Sequence, residues 1–413
     1  MTTKDVLPPS GDKPKSAVPE LAALVSLVAF VIAAMLVKFL RIDSPVVAFL
    51  MLSVAIVAMN LTLSERMISR EAQTDQGRGE RIFVKVCAIS TIFIIVFVSY
   101  QILPHYESEK YQLVIENAQN ILIAVLVVAP VYIAFTDARM NDPYDGLYML
   151  GCLIIGRSDR ANRAAAKQYA LGWLVKAFFL PVMAAFALED LRWWLAVDLA
   201  SNLDATRGWF GISYRFLFFV DVVWATLGYL FTLRLFNCQI RSTDATLKGW
   251  LVCIVCYPPF WGVMYDNYLN YEDGYYWGDF FAVGSVGGTI WGAAILACVV
   301  IYVWATASFG LRFSNLTNRG IITSGPYRYT KHPAYISKNI SWWMISIPFI
   351  SSQGHVVALN MCLLLLLVNF LYYLRARTEE DHLQSDPTYV AYREWIERNG
   401  LWAKGKRLLS RSA

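Results

Sequence analysis

Between Thr323 and Asn339 the chain reads Thr-Ser-Gly-Pro-Tyr-Arg-Tyr-Thr-Lys-His-Pro-Ala-Tyr-Ile-Ser-Lys-Asn, a polar, turn-rich stretch between long apolar runs. It holds one of only four histidines, His332, together with Arg328, Lys331 and the tyrosines Tyr327, Tyr329 and Tyr335. Ser324-Gly325-Pro326 is turn chemistry, and Pro333 biases His332 away from helical geometry. A second polar segment follows further on, Arg375-Ala-Arg377-Thr378-Glu379-Glu380-Asp381-His382. Cations suit a carboxylate, and carboxylates suit an amine or ribose hydroxyls, so the two segments together suit a zwitterionic polar ligand. From charge alone, a solvated juxtamembrane cluster is the simpler account. Residue type and spacing by themselves define no reaction.

What must bring the two segments together is the apolar sequence between them. Runs over 335–352 and 355–374 are joined by the short link Ser351-Ser352-Gln353-Gly354, which predicts an antiparallel helical hairpin. Such a hairpin returns Arg375–Glu380 to the face where Arg328, Lys331, His332 and Tyr335 lie. These runs belong to a larger pattern. The 413 residues are 57% hydrophobic, 15% aromatic and 16% charged, against roughly 25% charged in soluble domains. Runs of about 20 apolar residues repeat along the chain, which means a polytopic membrane protein. The fold class expected is all-α, with about ten transmembrane helices and a C-terminal hairpin carrying the site. The spans fall near 20–40, 45–63, 82–103, 113–135, 169–188, 212–236, 247–264, 282–305, 335–352 and 355–374, the ninth being short.

Loop charge gives the orientation. Segments 64–81, 136–168, 234–248 and 306–334 carry Arg and Lys, among them Arg66, Arg70, Arg139, Arg157, Arg234, Arg241, Arg312 and Arg319. The alternate loops are acidic or nearly neutral, and Asp266 to Asp279 holds no Lys or Arg. Both termini are therefore expected in the cytoplasm, at the plasma (inner) membrane if the protein is bacterial. The net charge of +5 is accounted for by these loops and does not argue for nucleic acid. Residues 1–18, with Pro8, Pro9 and Pro14, read as a disordered tail. Residues 19–305 read as an N-terminal transmembrane region of about eight helices, and 306–413 as the C-terminal functional region. Almost all of the seven cysteines sit in apolar runs, where packing explains them; Cys253 and Cys256 are spaced C-x-x-C without histidine partners. Asp221 lies mid-span with Arg215 nearby, and structural pairing is the expectation set against a functional role. The aromatic loop Tyr265–Phe280 reads as an interfacial belt, with a lid or headgroup site as the sharper alternative. No Walker loop, dinucleotide glycine fingerprint or metal-ligand spacing occurs in the sequence.

Gly325-Pro-Tyr-Arg-Tyr-Thr-Lys-His332-Pro333-Ala-Tyr335, the hairpin and Arg377-Thr378-Glu379-Glu380 together resemble the isoprenylcysteine carboxyl methyltransferase family. That family also has relatives among the phospholipid amine methyltransferases. Tyr389-Val-Ala-Tyr392 is similar to the Tyr-x-x-Tyr tail of the same signature. Lys331 stands where that pattern has Arg, Ser337 where Gly is frequent, and Ser385-Asp386-Pro387 where Phe-Gly is usual. The resemblance implies an integral-membrane methyltransferase using S-adenosyl-L-methionine without a soluble Rossmann domain. It implies cofactor contacts from Tyr327, Arg328, Lys331, His332 and Tyr335, closed over by Arg377, Glu379 and Glu380. Arg377 and Glu380 are the expected catalytic pair. The acceptor is expected to be lipophilic or lipidated and to arrive from the bilayer, a prenylcysteine carboxylate, a polyprenyl phosphate or a lipid headgroup; the sequence does not give the oligomeric state.

Two other classes compete. A membrane sterol or ene reductase using NADPH shares the His-x-x-Tyr spacing and the span count. Such proteins carry Gly-Asp after the tyrosine, where this chain has Ile336-Ser-Lys-Asn, and Arg-Asp-Glu where it has Arg377-Thr-Glu. A non-enzymatic lipid transporter or lipid-binding protein would instead use Asp221, Glu116 and the tyrosine-rich loop as a path.

Overall fold

The computed structural model describes residues 12–63, 77–116, 118–203, 208–282 and 284–412. It is almost entirely helical. Among the described residues, six helices are long and apolar enough to cross a membrane: Glu20–Phe39, Arg78–Ile102, Arg163–Ala196, Gly208–Leu230, Val286–Ala307 and His355–Leu383. Pro45–Asn60 and Leu122–Asp137 are shorter apolar helices. The outward sides of these helices remain apolar, with Phe83, Val127, Val131, Ile290, Leu363, Leu367 and Phe370 exposed. A water-facing helix would carry charge there, so the outward face is built for lipid. The chain is a multi-pass membrane protein.

The expected ten spans are corrected in two places. The seventh, 247–264, is interrupted: Leu247–Ile254 and Phe260–Met264 are separate short helices with Pro258 and Pro259 between them. Proline removes the amide donor and clashes with the preceding turn, so the helix stops before it. The ninth is only Pro333–Ser346, 14 residues. At 1.5 Å per residue that is about 21 Å, short of the roughly 30 Å of hydrocarbon.

Packing is organised around the long helices. Phe30, Leu52, Ile56, Leu191, Phe219, Trp224, Ile295 and Val303 form the largest buried cluster. A second cluster, under the site, stacks Phe179 on Tyr229 with ring centroids 5.5 Å apart. His355–Leu383 spans 29 residues, about 43 Å. Its last turns, from Arg375 onward, therefore project beyond one hydrocarbon thickness. Gly354 starts this helix at φ +101°, where a side chain would be strained.

Of the tail expected over 1–18, residues 1–11 lie outside the described residues. Residues 13–18 are not free. Ala17 N donates to Ile321 O at 2.8 Å, Thr323 Oγ1 to Pro14 O at 2.8 Å, and Val18 is buried. This segment straps across the strand-like run that leads into the site. The basic loop 64–81 lies outside the described residues over 64–76. The aromatic loop 265–280 packs inward rather than forming only a belt. Leu269 and Tyr271 are buried against Leu365, Val368 and Tyr372, and Ser351 Oγ donates to Asp273 Oδ2 at 2.6 Å.

Candidate functional site

The run from Phe309 to His332 is irregular backbone at the end of the Val286–Ala307 helix, and its stretch 318–326 is buried throughout. Backbone polar groups need partners in such a place, and Arg319 supplies many of them. Its guanidinium donates to the carbonyls of Cys238, Gly228, Phe313, Phe231 and Leu311. Burial brings its pKa down to about 10, so it remains a cation at neutral pH. Gly228 permits this close approach, since a Cβ there would meet Phe313 O at 2.4 Å. A two-residue antiparallel bridge, Ser242–Thr243 with Thr317–Asn318, ties the run to the neighbouring loop. Gly325 turns the chain at φ +59°, and a side chain there would collide with Ser308 Oγ.

His332 then caps the Pro333–Ser346 helix with φ −129°, and Pro333 occupies its first position. The next turn points Tyr335 the same way as Lys331 and His332. Opposite stands the projecting end of His355–Leu383. Where they face each other is a cavity of about 190 Å³.

Lys331, His332, Tyr335, Glu379 and Glu380 meet in it as the two-segment reading expects. Glu380 accepts from Lys331 Nζ at 2.9 Å, and its other oxygen lies 2.8 Å from His332 Nε2. Tyr335 donates its hydroxyl to Glu379, and its ring stacks on His332 at 7° and 5.7 Å. Tyr327 lines the same cavity, edge-on to Phe309, and burial pushes its phenol well above the ordinary value. The Tyr389–Tyr392 pair closes it from the next helix, Tyr392 Oη donating to Tyr327 O at 2.6 Å. Ser385-Asp386-Pro387 starts that helix: Asp386 caps it through Thr388 N and also accepts from Asn318 Nδ2 at 2.8 Å.

Two residues are not brought in. Arg328 turns outward and pairs with Glu20, at the start of the first helix. Arg377 has its side chain 50% exposed, reaches Glu380 only at 3.4 Å and is not part of the cavity wall. The helical period explains it. Arg375 and Glu379 are four apart and share the inner face, which turns the residue between them, Arg377, outward. Arg375 takes the inner place. Its side chain is 4% exposed and donates to Asn315 Oδ1 at 2.5 Å and Tyr257 Oη at 3.2 Å. The guanidinium also stands over the rings of Tyr257 and Tyr335, each at 5.2 Å. Sequence reading had Arg375 in hand but gave it no role; spacing from Glu379 was the signal that could have found it.

His382 also lines the cavity and lies 3.2 Å from Ser242 Oγ. One more expectation changes. Asp221 does not pair with Arg215, which holds Asp190 at 3.0 Å. Asp221 accepts instead from Tyr302 Oη at 2.5 Å and Thr306 Oγ1 at 2.6 Å, both in the cavity wall.

Residues 286–385 match the isoprenylcysteine carboxyl methyltransferase (ICMT) family. The C-terminal region carries that family's pattern. The match runs from the Val286–Ala307 helix through the whole hairpin and ends at Ser385. No curated protein and no solved structure matches the chain.

The lining of the cavity suits a ligand that carries charges of both signs. It presents aromatic faces for a cation, carboxylates for an amine or ribose, and cations for a carboxylate. Two buried donors in its wall, Arg375 Nε and Tyr389 Oη, make no hydrogen bond, and the nearest carboxylate oxygen paired with Arg375 Nε is 3.6 Å away. Buried donors of this kind are costly unless a ligand meets them.

Proposed function

We propose that the protein is an integral-membrane methyltransferase that uses S-adenosyl-L-methionine to methylate a lipophilic acceptor. The observation that carries this reading is a coincidence of place. The stretch matching a methyltransferase family is the one that walls the cavity where Lys331, His332, Tyr335, Glu379 and Glu380 converge. Residues 306–413 form the functional region in this reading. The remaining helices hold it in the bilayer, with both termini on the cytoplasmic side.

When bound, the cofactor supplies an electrophilic methyl: an acceptor oxygen bonds to its carbon as the carbon–sulfur bond breaks and the electron pair returns to sulfur. The chain's own residues bind and align. Lys331, His332 and Arg375 offer donors to the cofactor's carboxylate, while Glu379 offers an acceptor to its amine or hydroxyls. Glu380 holds Lys331 and His332 in place and so positions them. The rings of Tyr335 and Tyr372 keep water from the reacting centre. No side chain need take a proton when the acceptor is an anion. Alignment and desolvation therefore carry the rate, and alignment alone is worth roughly 7–11 kcal/mol in favourable cases.

The test is transfer of a radiolabelled methyl group from S-adenosylmethionine to an organic-phase product, using protein in nanodiscs with a total membrane lipid extract. Label entering lipid with wild type, and falling at least about tenfold with His332→Ala, supports the reading. Equal label in wild type and His332→Ala contradicts it.

A further inference from the structure

The helix Leu401–Ser412 follows Gly400 and takes no part in the cavity wall. It reads Leu-Trp-Ala-Lys-Gly-Lys-Arg-Leu-Leu-Ser-Arg-Ser, without an acidic residue. At 3.6 residues per turn, Leu401, Trp402, Leu408 and Leu409 fall within an arc of about 120°. All of them are exposed, Trp402 at 79%. Lys404 and Lys406 stand about 40° beyond the two edges of that arc, and Arg407 lies nearly opposite its centre. Arg407 Nη2 donates to Arg398 O at 2.7 Å. The preceding helix, Pro387–Asn399, therefore lies on the basic side, and the apolar arc is turned away from it.

Intrinsic propensity does not account for such a helix. It has 12 residues with Gly405 in its interior, and helices shorter than about 12–15 residues are marginal in water even without a glycine. Its place in the fold says what the arc meets. Leu401 N donates to Tyr329 O at 2.9 Å. Pro333, four positions after Tyr329, opens the hairpin's first helix, so at most about 14 Å of chain lies between them. Ile336 and Ile340 on that helix are exposed on the lipid-facing side. The amphipathic helix thus begins close to the plane where hydrocarbon begins. A lysine at each edge of an apolar arc can lay its stem along the acyl boundary and lift its ammonium to the headgroups. Lys406 already has its ammonium 5.6 Å from the Trp402 ring centroid. A second copy of the helix is a poor cover, since it would set cations against cations with no carboxylate between them.

We propose that Leu401–Ser412 lies in the plane of the membrane as an interfacial anchor, its apolar arc in the acyl boundary and its basic rim on anionic phospholipid headgroups. The partner is the leaflet on the side of the site, and its anionic lipid supplies the charge that the helix lacks. The assignment rests on the fold alone and stands or falls independently of the methyltransferase reading.

The experiment is hydrogen–deuterium exchange, read by mass spectrometry, on the full chain in nanodiscs that hold a single copy. Discs of phosphatidylcholine are compared with discs of phosphatidylcholine and phosphatidylglycerol in equal parts. Amides of the Leu401–Ser412 helix should exchange at least about tenfold more slowly in the anionic discs, and high salt should remove most of that gain. Lys404→Gln combined with Lys406→Gln should bring the difference between the two lipids to within about twofold. Leu408→Asp combined with Leu409→Asp should abolish the protection in both. Peptides from Pro387–Asn399 should agree within about twofold across the samples, which reports that the fold is kept.

Equal exchange in the two kinds of disc overturns the anchor, and so does a lipid difference that survives the lysine pair. Protection that ignores lipid charge and appears only in discs loaded with two copies assigns the arc to a second molecule instead. The wild-type lipid comparison needs no variant, so it decides the claim even if the leucine pair disturbs the fold.

Discussion

Arg375→Ala and Arg377→Ala form a matched pair on one helix, and the site predicts opposite outcomes for them. Arg375 is 4% exposed and makes two hydrogen bonds, at 2.5 Å to Asn315 Oδ1 and 3.2 Å to Tyr257 Oη. Charge-assisted bonds of that kind are worth about 1.5–3 kcal/mol each. The ring contacts add a smaller sum, and terms that share one guanidinium do not add fully. Removing Arg375 also leaves Asn315 short of a donor and Glu379 without its 3.6 Å partner. The expected loss is roughly 3–5 kcal/mol, the range for breaking a buried pair from one side. Arg377, half exposed and with a single 3.4 Å contact, should cost about 0–1 kcal/mol. Reversible unfolding in mixed micelles, by titration with sodium dodecyl sulfate, reads the difference. S-adenosylhomocysteine affinity should fall more than about tenfold in Arg375→Ala and change less than about threefold in Arg377→Ala. Equal losses in the two variants, or a larger one in Arg377→Ala, would refute the assignment of Arg375 to the cavity.

Other substitutions probe separate parts of the same site. Glu380→Gln keeps the side chain's shape but removes the charge that holds Lys331 and His332; S-adenosylhomocysteine affinity should drop at least about tenfold, measured by calorimetry. Gly325→Ala forces a side chain into a left-handed turn and toward Ser308 Oγ. It should destabilise by about 2–5 kcal/mol in the same unfolding titration, the turn costing about 1–2 and the crowding about 1–3. Tyr392→Phe deletes the 2.6 Å bond to Tyr327 O; about 1 kcal/mol of stability and a few-fold of ligand affinity should go with it.

Much of this arrangement is legible in the residues. The hairpin follows from two apolar runs and a short polar link, and it places Glu379 and Glu380 opposite Lys331, His332 and Tyr335. Pro333 sets His332 as a helix cap, as its effect on the preceding residue requires. What escaped was set by facing rather than by composition. Arg328 and Arg377 belong to the motif pattern, yet both turn outward, because a motif states residue types and not which side of a turn they occupy. Arg375 and Arg319 are single cations in sequence, and only tertiary contact shows one bound by Asn315 and Tyr257 and the other by five carbonyls. The interrupted seventh span was visible in Pro258-Pro259, but hydropathy over 247–264 outweighed it. The docking of residues 13–18 on 321–324 has no local signal, since a short polar, proline-containing segment reads the same whether it is free or strapped down.

The central claim is that the cavity binds S-adenosylmethionine, and calorimetry on the full chain in detergent tests it most directly, with S-adenosylhomocysteine set against NADPH. The account predicts saturable binding of S-adenosylhomocysteine, weakened at least about tenfold by both His332→Ala and Glu380→Gln, and no competition from NADPH. Binding of NADPH at the same site, with S-adenosylhomocysteine inert, would contradict it and turn the cavity over to hydride chemistry.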